Sequence, residues 1–139
     1  MPNITMIEGV GEIFAQKLEQ AGIRTTEELL ERGASPQGQQ EIAARSGITE
    51  ALILRWVSSV DLFRINGVGG EYADLLVTAG VNNVSELAHS DAEKLHQKLA
   101  AVSQEKQRAR HTPALSRVSD WIAQAKQLPA VLMNPQARS

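Results

Sequence analysis

Backbone amides are the first candidates for chemistry in this sequence. Gly9-Val10-Gly11 and Gly67-Val68-Gly69, the second followed by Gly70, each stand just ahead of a stretch with helical periodicity. Glycine accepts positive φ and leaves no Cβ in the way, so the valine between two glycines is free to point inward. The first N–H groups of the helix that follows have no intrahelical acceptor, and together with the helix dipole they favour an anion. Countercharge for such an anion is concentrated in one part of the chain. Residues 94–117 carry Lys94, Lys98, Lys106, Arg108, Arg110 and Arg117 against Glu105 alone, a local +5, with His96 and His111 nearby. Residues 1–31 carry Lys17 and Arg24 against Glu8, Glu12, Glu19, Glu27, Glu28 and Glu31, a local −4. Non-specific affinity for a phosphate chain comes mainly from counterion release by Lys and Arg, so the second stretch repels what the first would attract.

Other chemistries lack their residues. There is no cysteine, hence no disulfide, thiol nucleophile or thiolate metal site. His89, His96 and His111 include no pair at the four-residue spacing that aligns two ligands on a helix, so neither metal nor cofactor is expected. Asp61, Asp74, Asp91 and Asp120 are scattered, and Glu27-Glu28-Glu31 reads as the solvent face of a capped helix. With no nucleophile–base pair and no ligand set, no enzymatic activity is expected. Trp56, Trp121, Phe14 and Tyr72 fall on apolar helical faces and read as core packing, not base-stacking platforms. The net charge of −2, the lack of any eighteen-residue apolar run and an opening Met-Pro-Asn-Ile-Thr without a signal-peptide layout lead to the expectation of a cytoplasmic protein with no membrane contact.

The elements that position these residues come from an internal repeat. Residues 4–30 laid over 62–88 give ten identities in 27 positions, among them Ile7/Ile65, Gly9/Gly67, Gly11/Gly69, Leu18/Leu76 and Gly22/Gly80. Farther on the offset of 58 becomes 65, which sets Trp56 over Trp121 and places about seven extra residues in the second copy. Each copy reads as about four short helices. Val10, Phe14, Leu18 and Ala21 share a face and stop at Gly22; Val68, Tyr72, Leu76 and Ala79 do the same and stop at Gly80. Thr25 with Glu28, and more weakly Asn83 with Glu86, mark a second helix start. Ser35-Pro36 and Ser90-Asp91 mark a third. The fourth helices are expected to be the longest, with Leu52, Trp56, Val60 and Phe63 on one face in the first copy and Leu115, Val118, Ile122 and Ala125 in the second, the latter opened by Thr112-Pro113. The expected fold is all-α: a repeat over 1–61 and a repeat over 62–128 with a basic insertion near 103–112, sharing one compact core, then a flexible tail over 129–139.

Ile7-Glu8-Gly9-Val10-Gly11 with Ala15, Leu18, Gly22 and Ile23, and Ile65-Asn66-Gly67-Val68-Gly69 with Ala73, Leu76, Gly80 and Val81, resemble the helix-hairpin-helix motif. The layout over about residues 4–128 resembles the bacterial family catalogued as domain of unknown function 4332. That resemblance implies a SAM-like fold of paired helix-hairpin-helix units, in a superfamily whose members bind nucleic acid or other proteins. DNA-binding hairpins usually carry Lys or Arg within a few residues of the second glycine; here Glu12 and Gly70-Glu71 stand there. Two functions follow as expectations. One is weak, sequence-independent DNA binding by Gly67, Val68, Gly69 and Gly70 with Lys98, Lys106, Arg108, Arg110 and Arg117, leaving Gly9, Val10 and Gly11 as a structural corner. The other is a protein-interaction or scaffold module whose acidic first repeat docks a basic partner.

Overall fold

A computed structural model describes residues 3–106 and 112–132. After a 3-10 turn at Ile4–Met6 come eight α-helices: α1 (Glu12–Gln20), α2 (Thr26–Gly33), α3 (Pro36–Ser46), α4 (Glu50–Leu62), α5 (Gly70–Thr78), α6 (Val84–Ala88), α7 (Ala92–Lys106) and α8 (Leu115–Ala125). Among the described residues there is no strand beyond a lone bridge between Asn3 and Thr25, so the protein is all-α.

The local signals act largely as expected. Gly22 and Gly80 follow α1 and α5 at φ +87° and +101°, a left-handed turn that stops each helix. Thr25 and Glu28 form a full capping box: the Thr25 hydroxyl accepts from the Glu28 amide at 3.1 Å, and the Glu28 carboxylate accepts from the amides of Thr25 and Arg24 at 3.2 and 2.7 Å. In the second copy Asn83 caps the Glu86 amide at 2.8 Å, while Glu86 reaches back one residue farther, to the amide of Asn82.

Three expectations about the later helices change. The longest helix is α7, of 15 residues, which runs on through 103–106, so the start of the expected insertion extends a helix. Thr112-Pro113 does not open α8. Pro113 is buried, and Ala114 takes the N-cap position without a side-chain hydrogen bond. Leu115 turns outward at 39% exposure, leaving Val118, Trp121, Ile122 and Ala125 as the inner face.

The buried side chains gather in two clusters where one shared core was expected. Ile7, Val10, Leu18, Leu29, Ile53 and Trp56 anchor the first, and Ile65, Val68, Leu76, Leu87, Val118 and Trp121 the second; half-buried Phe63 packs against both. Helix α4 lies between them. Residues 56–62 are buried without a break, so the C-terminal half of the helix is enclosed on every face and not only on its Trp56-Val60 stripe. Its polar residues are tied accordingly. Arg55 donates to the Asp74 carboxylate and to the Thr78 hydroxyl of α5, both at 2.6 Å. Asp61, 1% exposed, accepts from Arg64 at 2.8 Å and from the Val84 amide at the start of α6, also at 2.8 Å. Arg64 also donates to the carbonyl of Pro129, and Leu132 is buried in the first cluster. The segment expected to be a loose tail from Pro129 is therefore docked as far as Leu132.

Removing the Asp61 carboxylate strands an arginine and a buried amide at once. Asp61→Ala is expected to cost about 3 kcal/mol in urea unfolding. Asp61→Asn, which keeps an acceptor for Val84, should cost clearly less; equal losses would show that the Val84 hydrogen bond carries none of the effect.

Candidate functional site

The two glycine corners have nearly the same geometry. Gly9 and Gly67 sit at φ +94° and +96°, a region where a side chain is strained. Val10 and Val68 turn inward, each 4% exposed. Gly11 and Gly69 then form the N-caps of α1 and α5 with φ, ψ of −91°, −167° and −97°, −165°, and neither has a side chain to bond the first-turn amides. Each helix is nine residues long, enough for its dipole to act at that end.

Beneath each corner lies a tryptophan. A Cβ at Gly9 would stand 3.6 Å from Trp56 Nε1, and one at Gly67 would stand 3.3 Å from Trp121 Nε1. Phe14 meets Trp56 edge-on at 5.1 Å between centroids, and Tyr72 meets Trp121 at 5.3 Å. A cation lies over each of those outer rings: Lys17 over Phe14 at 5.8 Å and Arg117 over Tyr72 at 5.9 Å. Lys17 enters the sequence pattern only as a charge, yet its i, i+3 spacing from Phe14 is the signal for this contact.

The residues expected to bind nucleic acid separate in space. Gly67, Val68 and Gly69 lead into the N-terminal end of α5, and Arg117 of α8 lies over the ring of Tyr72 in the first turn of that helix. Gly70 serves a different contact. A Cβ there would fall 2.5 Å from the carbonyl oxygen of Met6, so this glycine lets the backbone of the first copy press onto the second. Lys98 lies at the other end of α5, where its Nζ is 3.6 Å from a Cβ position at Gly80. At about 1.5 Å of rise per residue, nine residues of helix separate it from the Gly69 amides by roughly 13 Å. Its neighbour in kind is Arg32, which stands over Gly22 and donates to the Ala21 carbonyl at 2.8 Å. Arg108, Arg110 and the side chain of Lys106 lie outside the described residues.

One pair at the second corner was not foreseen. Gln124 of α8 accepts from the Asn66 amide at 2.9 Å and donates to the Asn66 carbonyl at 3.2 Å, and also donates to Asp120 at 2.9 Å. Glu8 and Ser59 hold the matching positions in the first copy, so no comparison of the copies could have suggested it. The first corner differs on its outer side too: Ile13 is 71% exposed where the second copy has Glu71.

The carboxylates are in structural use. Asp61 and Asp74 form the ion pairs of α4 described above. Glu28 is held below its ordinary value, first by the hydrogen bond from the Arg24 amide; burial opposes this, and the Thr25 amide and the nearby Arg24 charge add to the lowering. Among the described residues no group of three His, Cys, Asp or Glu is placed to hold a metal ion, and no helix is long and apolar enough to cross a membrane.

Substitutions at the second corner separate its glycines by what each one does. Gly67→Ala meets both positive φ and the indole, and is expected to lose about 1–3 kcal/mol in thermal or urea unfolding. Gly69→Ala enters open space in extended backbone and should stay within about 0.5 kcal/mol of wild type. Gly70→Ala collides with backbone and should behave like Gly67→Ala, not like Gly69→Ala.

The capping box makes a pH-dependent contribution. A carboxyl group whose folded value is depressed adds stability at pH above its unfolded value, and that stability is lost as pH falls through the folded one. Glu28→Gln should therefore be destabilising at neutral pH, with the difference from wild type shrinking in acid, as read by unfolding curves at stepped pH; a difference constant with pH would contradict the lowered value.

No curated protein and no solved structure matches the chain. A family model described as Domain of unknown function (DUF4332) matches residues 8–128, a span that takes in both glycine corners and all eight helices. On that match, covering most of its length, the chain belongs to the family Domain of unknown function (DUF4332).

Proposed function

We propose that the protein is a non-catalytic, sequence-independent DNA-binding module of the bacterial cytoplasm, in which each copy is a helix-hairpin-helix unit and the second holds the nucleic-acid contact. The observation that carries this reading is the N-terminal end of α5: an N-cap without a side chain to bond the first-turn amides, and Arg117 over the ring of Tyr72 in that first turn. Amides at a helix start bind a phosphate without reading bases, and a neighbouring guanidinium supplies the countercharge. The first copy has the same backbone, but Glu8 and Glu12 flank it. With Lys98 at the far end of α5, the affinity expected from this corner is modest and strongly salt-dependent. Lys106, the last residue of α7, and Arg108 and Arg110 after it in the sequence belong to the same proposal as additional phosphate contacts.

Fluorescence anisotropy with a short labelled duplex and the matching single strand, at low and moderate salt, tests it. Arg117→Glu is expected to weaken binding equally for unrelated sequences and to lower the slope of log affinity against log salt by about 1. A chain that ignores DNA even at low salt would overturn the reading. One observation favours a second: exposed Ile13 among acidic residues suits a basic protein partner. Co-purification of such a partner that survives nuclease, from a chain that ignores DNA, would support it.

A further inference from the structure

The chain has two tryptophans, and both are almost wholly enclosed, Trp56 at 2% exposure and Trp121 at 1%. A buried indole N–H normally has an acceptor, because leaving it without one forfeits its hydration. Among the described residues neither Nε1 has a hydrogen-bond partner. Yet no fully buried side-chain nitrogen or oxygen among them lacks one either, so both N–H groups must open onto the surface. The position of the glycines explains how. Gly9 and Gly67 are exposed and lie directly over the two Nε1 atoms, and a Cβ on either would stand within 3.6 Å of the nitrogen. Each corner thus presents a rigid, unpaired side-chain donor beside the uncapped start of a nine-residue helix.

We infer that the Trp121 indole N–H is a phosphate ligand: with the first-turn amides of α5 and the charge of Arg117 it forms a seat for one backbone phosphate of nucleic acid. This rests on the nucleic-acid reading above and adds to it a named side chain and a ligand atom, the phosphate oxygen. A tetrahedral anion has acceptor oxygens on several sides, so it can take one hydrogen bond from the indole below and others from the helix start. The donor is well prepared for this. Its ring is fixed by Tyr72 and by the surrounding cluster, so little side-chain entropy is lost when the anion arrives. Asn66, next to Gly67, is already held by Gln124, which fixes the loop that frames the seat. Trp56 provides the internal comparison, having the same donor and the same glycine but Glu8 and Glu12 alongside.

The two indole N–H signals in a 1H–15N spectrum of the full chain, assigned with Trp56→Phe, read this directly. Titration with a short DNA duplex at low salt is expected to move the Trp121 indole signal together with the amides of residues 69–72, and to leave Trp56 in place. Trp121→Phe, which keeps the ring and removes the donor, should weaken binding about tenfold, the scale of one hydrogen bond to a charged acceptor. If that variant fails to fold, the wild-type titration still decides. Duplex binding that moves the amides but not the Trp121 indole, or moves both indoles alike, overturns the inference and leaves the nucleic-acid reading standing. No duplex binding at low salt removes both. Inorganic phosphate at matched ionic strength is the last arm: a Trp121 shift with phosphate alone, in a chain that does not bind duplex, would mark a free-anion site and overturn the assignment to nucleic acid.

Discussion

A carboxylate almost out of reach of water, Asp61 at the end of α4, holds the two halves of this protein together. Burying a carboxylate costs several kcal/mol unless it is paired and its lone pairs are used. Here Arg64 supplies the charge and the Val84 amide a second donor. The arrangement continues outward, because the same guanidinium also holds the Pro129 carbonyl and so returns the chain toward the first cluster, where Leu132 is buried. Arg55 repeats the device on α5 through Asp74 and Thr78. The C-terminal half of α4 can be enclosed because Asp61, and Arg55 before it, have partners on neighbouring elements. That enclosure also sets the position of Trp56 within the first cluster and of Phe63 between the two.

Within this frame the two copies keep one geometry and change what surrounds it. The positive-φ glycine over a tryptophan, the inward valine, the bare N-cap and the aromatic under a cation all recur. The differences follow from position. The second corner lies against the opening turn of the first copy, so residue 70 must be glycine to admit the Met6 carbonyl. The first corner meets no such neighbour on that side, and Glu12 is exposed there. The repeated backbone at the second corner therefore also carries a contact between the copies, made through Gly70.

What was legible in the sequence was local. Glycine stops, the Thr25–Glu28 box and the helical spacing of Phe14 with Leu18 depend on residues three to eleven apart, and such signals suffice to define helices. The family resemblance likewise rested on the glycine corners. The joints between helices could not be read in this way. Asp61 resembles a polar break at the end of an apolar face, and its partner Val84 is 23 residues away. Leu132 sits in a stretch with no periodicity, and its destination is the other half of the chain. Lys98 shows the same limit at the site. Counting charge along 94–117 puts it with Arg117, whereas the fold sends the two to opposite ends of α5, Lys98 beside Gly80 and Arg117 over Tyr72.

That separation alters what the charge pattern means. A +5 segment suggests a basic face, but a lysine at a helix C-terminus is already offsetting the negative end of a dipole and contributes less to attracting a distant anion. Near that corner Arg117 lies over Tyr72, while Glu71 stands exposed in the first turn of α5. On the nucleic-acid reading, binding energy there must come mainly from oriented N–H donors, which cost little reorganisation when the anion arrives. The −4 of residues 1–31 then acts as a guide rather than a defect. On the same reading, a chain acidic over 1–31 and basic over 94–117 would be turned by the field of a polyanion, the basic stretch toward it and the acidic one away. Near-neutral net charge is compatible with approach to DNA when the charge is divided in this way, and on the nucleic-acid reading the division would confine contact to the second copy of the sequence repeat.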